Sequence, residues 1–184
     1  KPSQHSVTTL RSYGIQPEIL VCRTSKPIPK KEIEKLALFC SVPKEAVIEC
    51  KDLKSIYEVP LALEEQNLAG VVLSRLQMKD KKPKLEEWKK LVEKIKNPKK
   101  TFTVVIAGKY TKLSDAYISV VESLKHAGYA HDAQINIKWV SADDCIDETK
   151  AKEAMKDVDA LVVPGGFGVR GIEGKLNVIK IARE

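Results

Sequence analysis

The chain has 184 residues, room for one domain or two small ones, and 43% apolar with 31% charged residues describe a folded soluble protein rather than a disordered one. No apolar run is long enough to span a bilayer, so no membrane partnership is expected. The net charge of +7 suits anionic small substrates such as nucleotides.

Much of the basic excess lies in residues 79–100. Few aromatics interleave it, so it reads as a solvated face or linker, with nucleic-acid binding the minor alternative. No secretory signal opens the chain, and because it begins with Lys1 and not Met, residues before it are expected. Cys22, Cys40, Cys50 and Cys145 form no CxxC pair, and no His stands at ligand spacing from them. They read as reduced thiols of a cytoplasmic protein, Cys22 and Cys40 as small core residues, and no metal site is expected from them.

In chain order, residues 15–23 contain a short buried strand, and Pro27 and Pro29 mark a turn. Residues 30–40 have Ile33, Leu36, Ala37 and Cys40 at helical spacing. Residues 46–49 predict a second strand. Residues 55–57 and 61–66 predict helix bent or restarted at Pro60, followed by helices over 71–77 and 85–96. The last of these places Leu85, Trp88, Leu91, Val92 and Ile95 on one face. Asn97-Pro98-Lys99-Lys100 is a strong breaker, so a domain boundary is expected at 97/98.

After it the pattern alternates regularly. Residues 103–107 predict a buried strand ending at Gly108. Residues 115–127 predict a helix capped near Ser114 and closed by Gly128. A strand over 134–140, a helix over 143–156 and a strand over 159–163 follow. Strands separated by helices predict a parallel, doubly wound sheet that binds ligands at the carboxyl ends of its strands.

At such an end lies Val163-Pro164-Gly165-Gly166-Phe167-Gly168-Val169-Arg170-Gly171-Ile172-Glu173-Gly174, with a helix predicted over 175–184. Glycines at this density let bare backbone approach a partner, and a strand, glycine turn and helix start can hold an anion or an oxyanion. A plain turn or a phosphate loop is the alternative. The latter is weakened because the run has neither GxGxxG spacing nor the Gly-Lys-Ser/Thr of a P-loop. His5, His126 and His131 have no plausible Cys or Ser partner and read as structural or surface residues.

Residues 1–7 (Lys1-Pro2-Ser3-Gln4-His5-Ser6-Val7), Gly14-Ile15-Gln16-Pro17, Leu36-Ala37-Leu38-Phe39-Cys40-Ser41-Val42-Pro43, Ser55-Ile56-Tyr57, Val59-Pro60-Leu61, Gly108-Lys109-Tyr110, Asp115-Ala116-Tyr117, Leu124-Lys125-His126-Ala127 and the glycine loop with Val169-Arg170-Gly171 together carry a resemblance. Their order makes it specific. The chain resembles CTP synthases, glutamine-dependent amidoligases that aminate UTP. The likeness extends over essentially all of it. The resemblance implies the C-terminal part of a P-loop-type α/β amidoligase (synthetase) domain with linker helices over 1–97. Over 98–184 it implies the first part of a flavodoxin-like class I glutamine amidotransferase domain.

The resemblance further implies ATP, Mg²⁺ held by ligands outside this segment, UTP and glutamine as substrates, GTP as allosteric activator, CTP as feedback inhibitor, and a homotetramer in the complete protein. By position it places Lys1, Gln4 and Lys35 at the UTP/CTP phosphates, and Arg23, Asp52 and Leu53 at the adenine pocket. Backbone at Gly165 and Gly166 falls on the oxyanion hole. Phe167, Arg170, Gly171 and Glu173 fall on a glutamine/GTP lid, although Glu173 read alone is a carboxylate complementing a helix dipole. The nucleophile elbow is expected beyond Glu184 and the P-loop before Lys1, so the segment alone is expected to be inactive. Competing expectations are a non-catalytic nucleotide-binding or oligomerisation fragment, or another class I amidotransferase.

Overall fold

The computed structural model describes residues 2–184; Lys1, expected at the UTP phosphates, lies outside the described residues. The chain divides into two compact units, one ending at Val92 and the other beginning at Glu93.

The first unit opens with α1 (Pro2–Ser12), closed by Gly14 at φ 82°. There the Gly14 N–H reaches Arg11 O and the Ile15 N–H reaches Leu10 O, which satisfies the last helical carbonyls. Strand β1 (Leu20–Thr24) pairs in parallel with β2 (Val47–Lys51), with Arg23 opposite Cys50. Helix α2 (Lys30–Cys40) crosses between them. Its expected face is realised, since Ala37 and Cys40 are buried with Val7, Val42, Ala46, Val47 and Val71, and Cys22, Ile33 and Leu36 pack against them. Helices α3 (Val59–Glu64) and α4 (Leu68–Arg75) follow, and the turn before α3 carries a capping box between Ser55 and Glu58. Gln66 acts as a surrogate strand for β2, its side-chain amide accepting from Glu49 N at 2.8 Å and donating to Glu49 O at 2.8 Å. On α5 (Glu86–Lys96), Trp88 Nε1 donates to Tyr57 O at 2.8 Å.

The second unit is built on three parallel strands in the order β4-β3-β5: β3 (Lys100–Gly108), β4 (Ala133–Ser141) and β5 (Ala160–Val162). The strand that comes first in sequence is central, and Val105, Ile106 and Ala107 are wholly buried. Such burial on both faces is what a doubly wound sheet requires of its middle strand. Val105 and Ala107 face the helices α7 (Glu148–Ala154) and α8 (Ile172–Arg183), packing with Val140, Cys145, Ala151 and Val178. Pleating turns Val104 and Ile106 to the opposite face. Helix α6 (Ile118–Ala130) packs against β4.

Three local expectations are corrected. Helix α6 starts at Ile118 after a 3₁₀ turn, Ser114–Tyr117, and Tyr117 at its N-cap makes no side-chain capping bond. Gly128 does not close α6, which runs to Ala130. It is glycine because a Cβ there would lie 2.7 Å from Ala133 O and from Ile135 Cγ1. The helix expected over 143–156 is broken. A 3₁₀ turn, Asp144–Ile146, precedes Asp147, which caps α7 by accepting from Thr149 N at 2.8 Å and Lys150 N at 3.2 Å.

Candidate functional site

The loop that leaves β5 emerges beside the carboxyl end of β3, where the chain turns one way to β4 and the other to β5. This is the topological switch point at which open α/β sheets take their ligands.

The glycines of the loop and of the first turn of α8 divide by cause. Gly168 and Gly171 both have φ of 77°, the left-handed region that side chains avoid. Gly174 faces the chain after β4, where a Cβ would stand 1.7 Å from Ala142 O. Gly165 and Gly166 have neither reason. Neither has a left-handed φ, nothing lies within 4 Å of a Cβ on Gly165, and the nearest atoms to one on Gly166 are lysine side-chain atoms at 3.8 and 3.9 Å. Both are exposed, and neither N–H donates to another described residue. The fold's own packing therefore does not require glycine at these two positions.

Two lysines hold the loop. Lys109, just past β3, donates to Phe167 O at 2.6 Å and Gly168 O at 3.0 Å. Lys175, in the first turns of α8, donates to Pro164 O at 2.9 Å. The ends of both side chains flank Gly166. Arg170 is tied to the same strand end: Nη2 donates to Lys109 O at 3.1 Å, Nε pairs with Asp143 at 3.5 Å, and the guanidinium stands 5.8 Å from the centre of the Tyr110 ring. Tyr110, Tyr117 and Trp139 continue as a run of neighbouring rings. The Tyr117 hydroxyl accepts from Lys109 N at 3.1 Å, and its ring fills the space a side chain on Gly108 would need. Asn177 of α8 donates to Cys145 O and Ile146 O, fixing the helix to the turn after β4. Phe167 is wholly exposed, and Glu173 is exposed in the first turn of α8, where it complements the helix dipole.

The expected residues Phe167, Arg170 and Gly171 thus share this loop with Gly165 and Gly166, and Glu173 lies just beyond it in the first turn of α8. Lys175, Asp143 and Asn177 went unrecognised in sequence. The available signal for Lys175 was a cation in the first turns of a helix, against the positive end of its dipole.

In the first unit, Arg23 and Asp52 meet at the carboxyl ends of β1 and β2. Arg23 Nε lies 2.8 Å from Asp52 Oδ1, and Asp52 N donates to Thr24 O. The hydrogen bond to Asp52 raises the Arg23 pKa further. Leu53 follows directly and is exposed. Gln4 lies on α1 and Lys35 on α2, two helices that pack together. Lys35 is exposed and pairs with Glu32 at 2.9 Å, and no described hydrogen bond joins it to Gln4.

Cys22, Cys40 and Cys145 are not set up as nucleophiles. Burial pushes the Cys22 and Cys145 thiols up, away from the thiolate, and Cys40 is wholly buried.

Comparison with known proteins places both halves. The family described as "Glutamine amidotransferase class-I" matches residues 112–184, which include the glycine loop. The family described as "CTP synthase N-terminus" matches residues 1–78. The α/β architecture with parallel sheets is consistent with part of a synthetase domain followed by part of a class I amidotransferase domain, the order in which the two families match. Curated CTP synthases match throughout: 52% identity over 184 residues for that of Halalkalibacterium halodurans, 52% over 184 for that of Synechocystis sp., and 50% over 191 for that of Methanocaldococcus jannaschii. Each alignment covers all of this chain but 34%, 33% and 35% of the relative, so the chain spans about a third of their length. It is similar, from end to end, to one segment of CTP synthase.

Proposed function

We propose that this chain is the part of a CTP synthase in which UTP amination meets glutamine hydrolysis. ATP phosphorylates UTP at O4, and ammonia released from glutamine displaces the phosphate to give CTP. GTP activates the glutaminase and CTP competes with UTP. The observation that carries this reading is the pair of free N–H groups at Gly165 and Gly166, where the fold itself does not need glycine. A thiolate attacking the glutamine amide moves negative charge onto the amide oxygen. Pre-aimed backbone donors stabilise that oxygen, each worth about 3–4 kcal/mol of barrier.

In this reading Phe167, Arg170, Gly171 and Glu173 form the rim over glutamine and the GTP region. Arg23, the backbone of Asp52 and Leu53 take the adenine, a guanidinium face being suited to stacking on a purine. Lys1, Gln4 and Lys35 take the UTP or CTP phosphates, for which cations and amide donors are the natural partners. The complete protein is a cytoplasmic homotetramer with the domain boundary at 97/98. The family also implies Mg²⁺. Among the described residues no cluster of three or more His, Cys, Asp or Glu is placed to hold a metal, so they do not fit the ion and no step is assigned to it. Another class I amidotransferase is disfavoured by the first unit, which matches CTP synthase.

The test is conversion of UTP to CTP by the complete polypeptide with ATP and Mg²⁺, driven by glutamine or by free ammonia. No CTP from either nitrogen source overturns the reading. The 184 residues by themselves are expected to be inactive, and glutaminase activity from them alone would refute that part.

A further inference from the structure

The Pro164–Gly165 peptide is held from one side by a lysine whose position helix preferences do not explain. Lys175 lies four residues into α8, beyond Gly171 at the N-cap. A cation there opposes the dipole of its own helix. It is half-buried and has no carboxylate partner among the described residues. Its one described bond runs to Pro164 O at 2.9 Å. The backbone of α8 that bears it is itself fixed: Gly174 lies against Ala142 O, Asn177 binds two carbonyls after β4, and Val178 is wholly buried. The stem of Lys175 therefore starts from a rigid base.

On the far side of the glycine pair, Lys109 holds the carbonyls of Phe167 and Gly168. The two clamps bracket Gly165 and Gly166, whose own N–H groups stay free. There are no cis peptide bonds, so a carbonyl fixed in direction fixes the N–H of the same peptide plane in the opposite direction. Holding the carbonyls before and after the pair limits how its backbone can rotate. An oxyanion hole depends on donors already aimed before charge develops.

We propose that Lys175 is a positioning residue of the glutaminase site: by clamping Pro164 O it sets the orientation of the Gly165–Gly166 backbone, with Lys109 as the opposing clamp. This rests on the oxyanion reading given above. Lys175 itself need not touch glutamine.

The experiment uses the complete enzyme with Lys175→Met, Lys175→Arg and Lys109→Met. Glutamine hydrolysis is measured over a range of glutamine concentration, and ammonia-driven CTP formation is measured in parallel. The expected result for Lys175→Met is a kcat for glutamine hydrolysis lower by about 10- to 100-fold, the scale of a misplaced catalytic geometry, with KM changed less than about twofold. Lys175→Arg, which keeps a donor for Pro164 O, recovers most of the loss. Lys109→Met lowers kcat in the same direction. Ammonia-driven CTP formation stays at the wild-type rate in all three. Wild-type kcat in Lys175→Met overturns the proposal. So does a rise in KM at unchanged kcat, which would make Lys175 a glutamine-binding residue. Loss of the ammonia-driven reaction also overturns it, because the defect would then lie in the fold. Failure of the oxyanion reading itself looks different, because Gly165→Ala and Gly166→Ala would then both leave glutamine hydrolysis intact.

Discussion

Substituting Gly174 by alanine separates two causes of glycine between the loop and the first turn of α8. In an open helix this change stabilises by up to about 1 kcal/mol, because alanine is the better helix former. Here the new Cβ would stand 1.7 Å from Ala142 O, 2.8 Å from Ala142 C and 3.2 Å from Cys145 C, all of them backbone atoms. An ordinary carbon–oxygen contact needs about 3.3 Å, so α8 must retreat by about 1.5 Å or the chain after β4 must move. Retreat stretches the Asn177 bonds to Cys145 O and Ile146 O, at 3.0 and 3.1 Å, each worth about 1 kcal/mol. It also loosens Val178 from the core, and overpacking of this kind costs about 1–3 kcal/mol. The expected net loss is about 3 kcal/mol, which at the size of this unit lowers the melting temperature by roughly 10–20 °C. Gly165→Ala is the internal control. With no neighbour within 4 Å and no left-handed φ, it leaves stability unchanged or raises it by about 0.4–1 kcal/mol. Thermal and urea melts followed by circular dichroism read both variants. A Gly174→Ala protein as stable as wild type would refute the steric reasoning.

Gly128→Ala in α6 is expected to destabilise by about 1–3 kcal/mol, since its Cβ meets Ala133 O at 2.7 Å; urea titration showing no loss would contradict this. Backbone donation from Lys150 and Thr149 holds the Asp147 carboxyl below its usual range. A carboxylate with a depressed folded pKa contributes stability that is full above the unfolded value and is lost as pH falls through the folded one. Asp147→Ala should therefore melt below wild type at pH 7, with a gap that closes only under about pH 4. A gap constant from pH 7 to pH 3 would count against it. Under the proposed nucleotide reading, Arg23→Ala in the complete enzyme is expected to raise KM for ATP at least about tenfold while leaving glutamine hydrolysis unchanged; an unchanged KM for ATP would overturn the proposed adenine contact.

The local grammar of the chain is readable in its sequence. Apolar spacing placed α2 and α5, alternation placed the strands of the second unit, and a glycine run after an apolar strand placed the candidate site. Each of these signals lies within a window of a few residues. The errors arose where a local rule had a distant competitor. Gly128 resembles a helix terminator, but it is glycine because Ala133 O and Ile135 pass beneath it. Residues 143–156 have helical composition, but Asp147 restarts the helix by capping α7.

Sequence by itself determined that this protein is a two-part α/β chain resembling a CTP synthase segment, because periodicity and ordered motifs are properties of the linear chain. Tertiary structure alone decided which glycines the fold requires and which it does not. The Cβ of Gly174 is excluded by an oxygen 32 residues away in sequence, and Gly165 has empty space, yet both look alike in the string. It also decided the work of Lys109 and Lys175. Their bonds to the loop exist only once β3, β5 and α8 have packed, since hydrogen bonds of this kind join groups that folding, not sequence proximity, brings within reach.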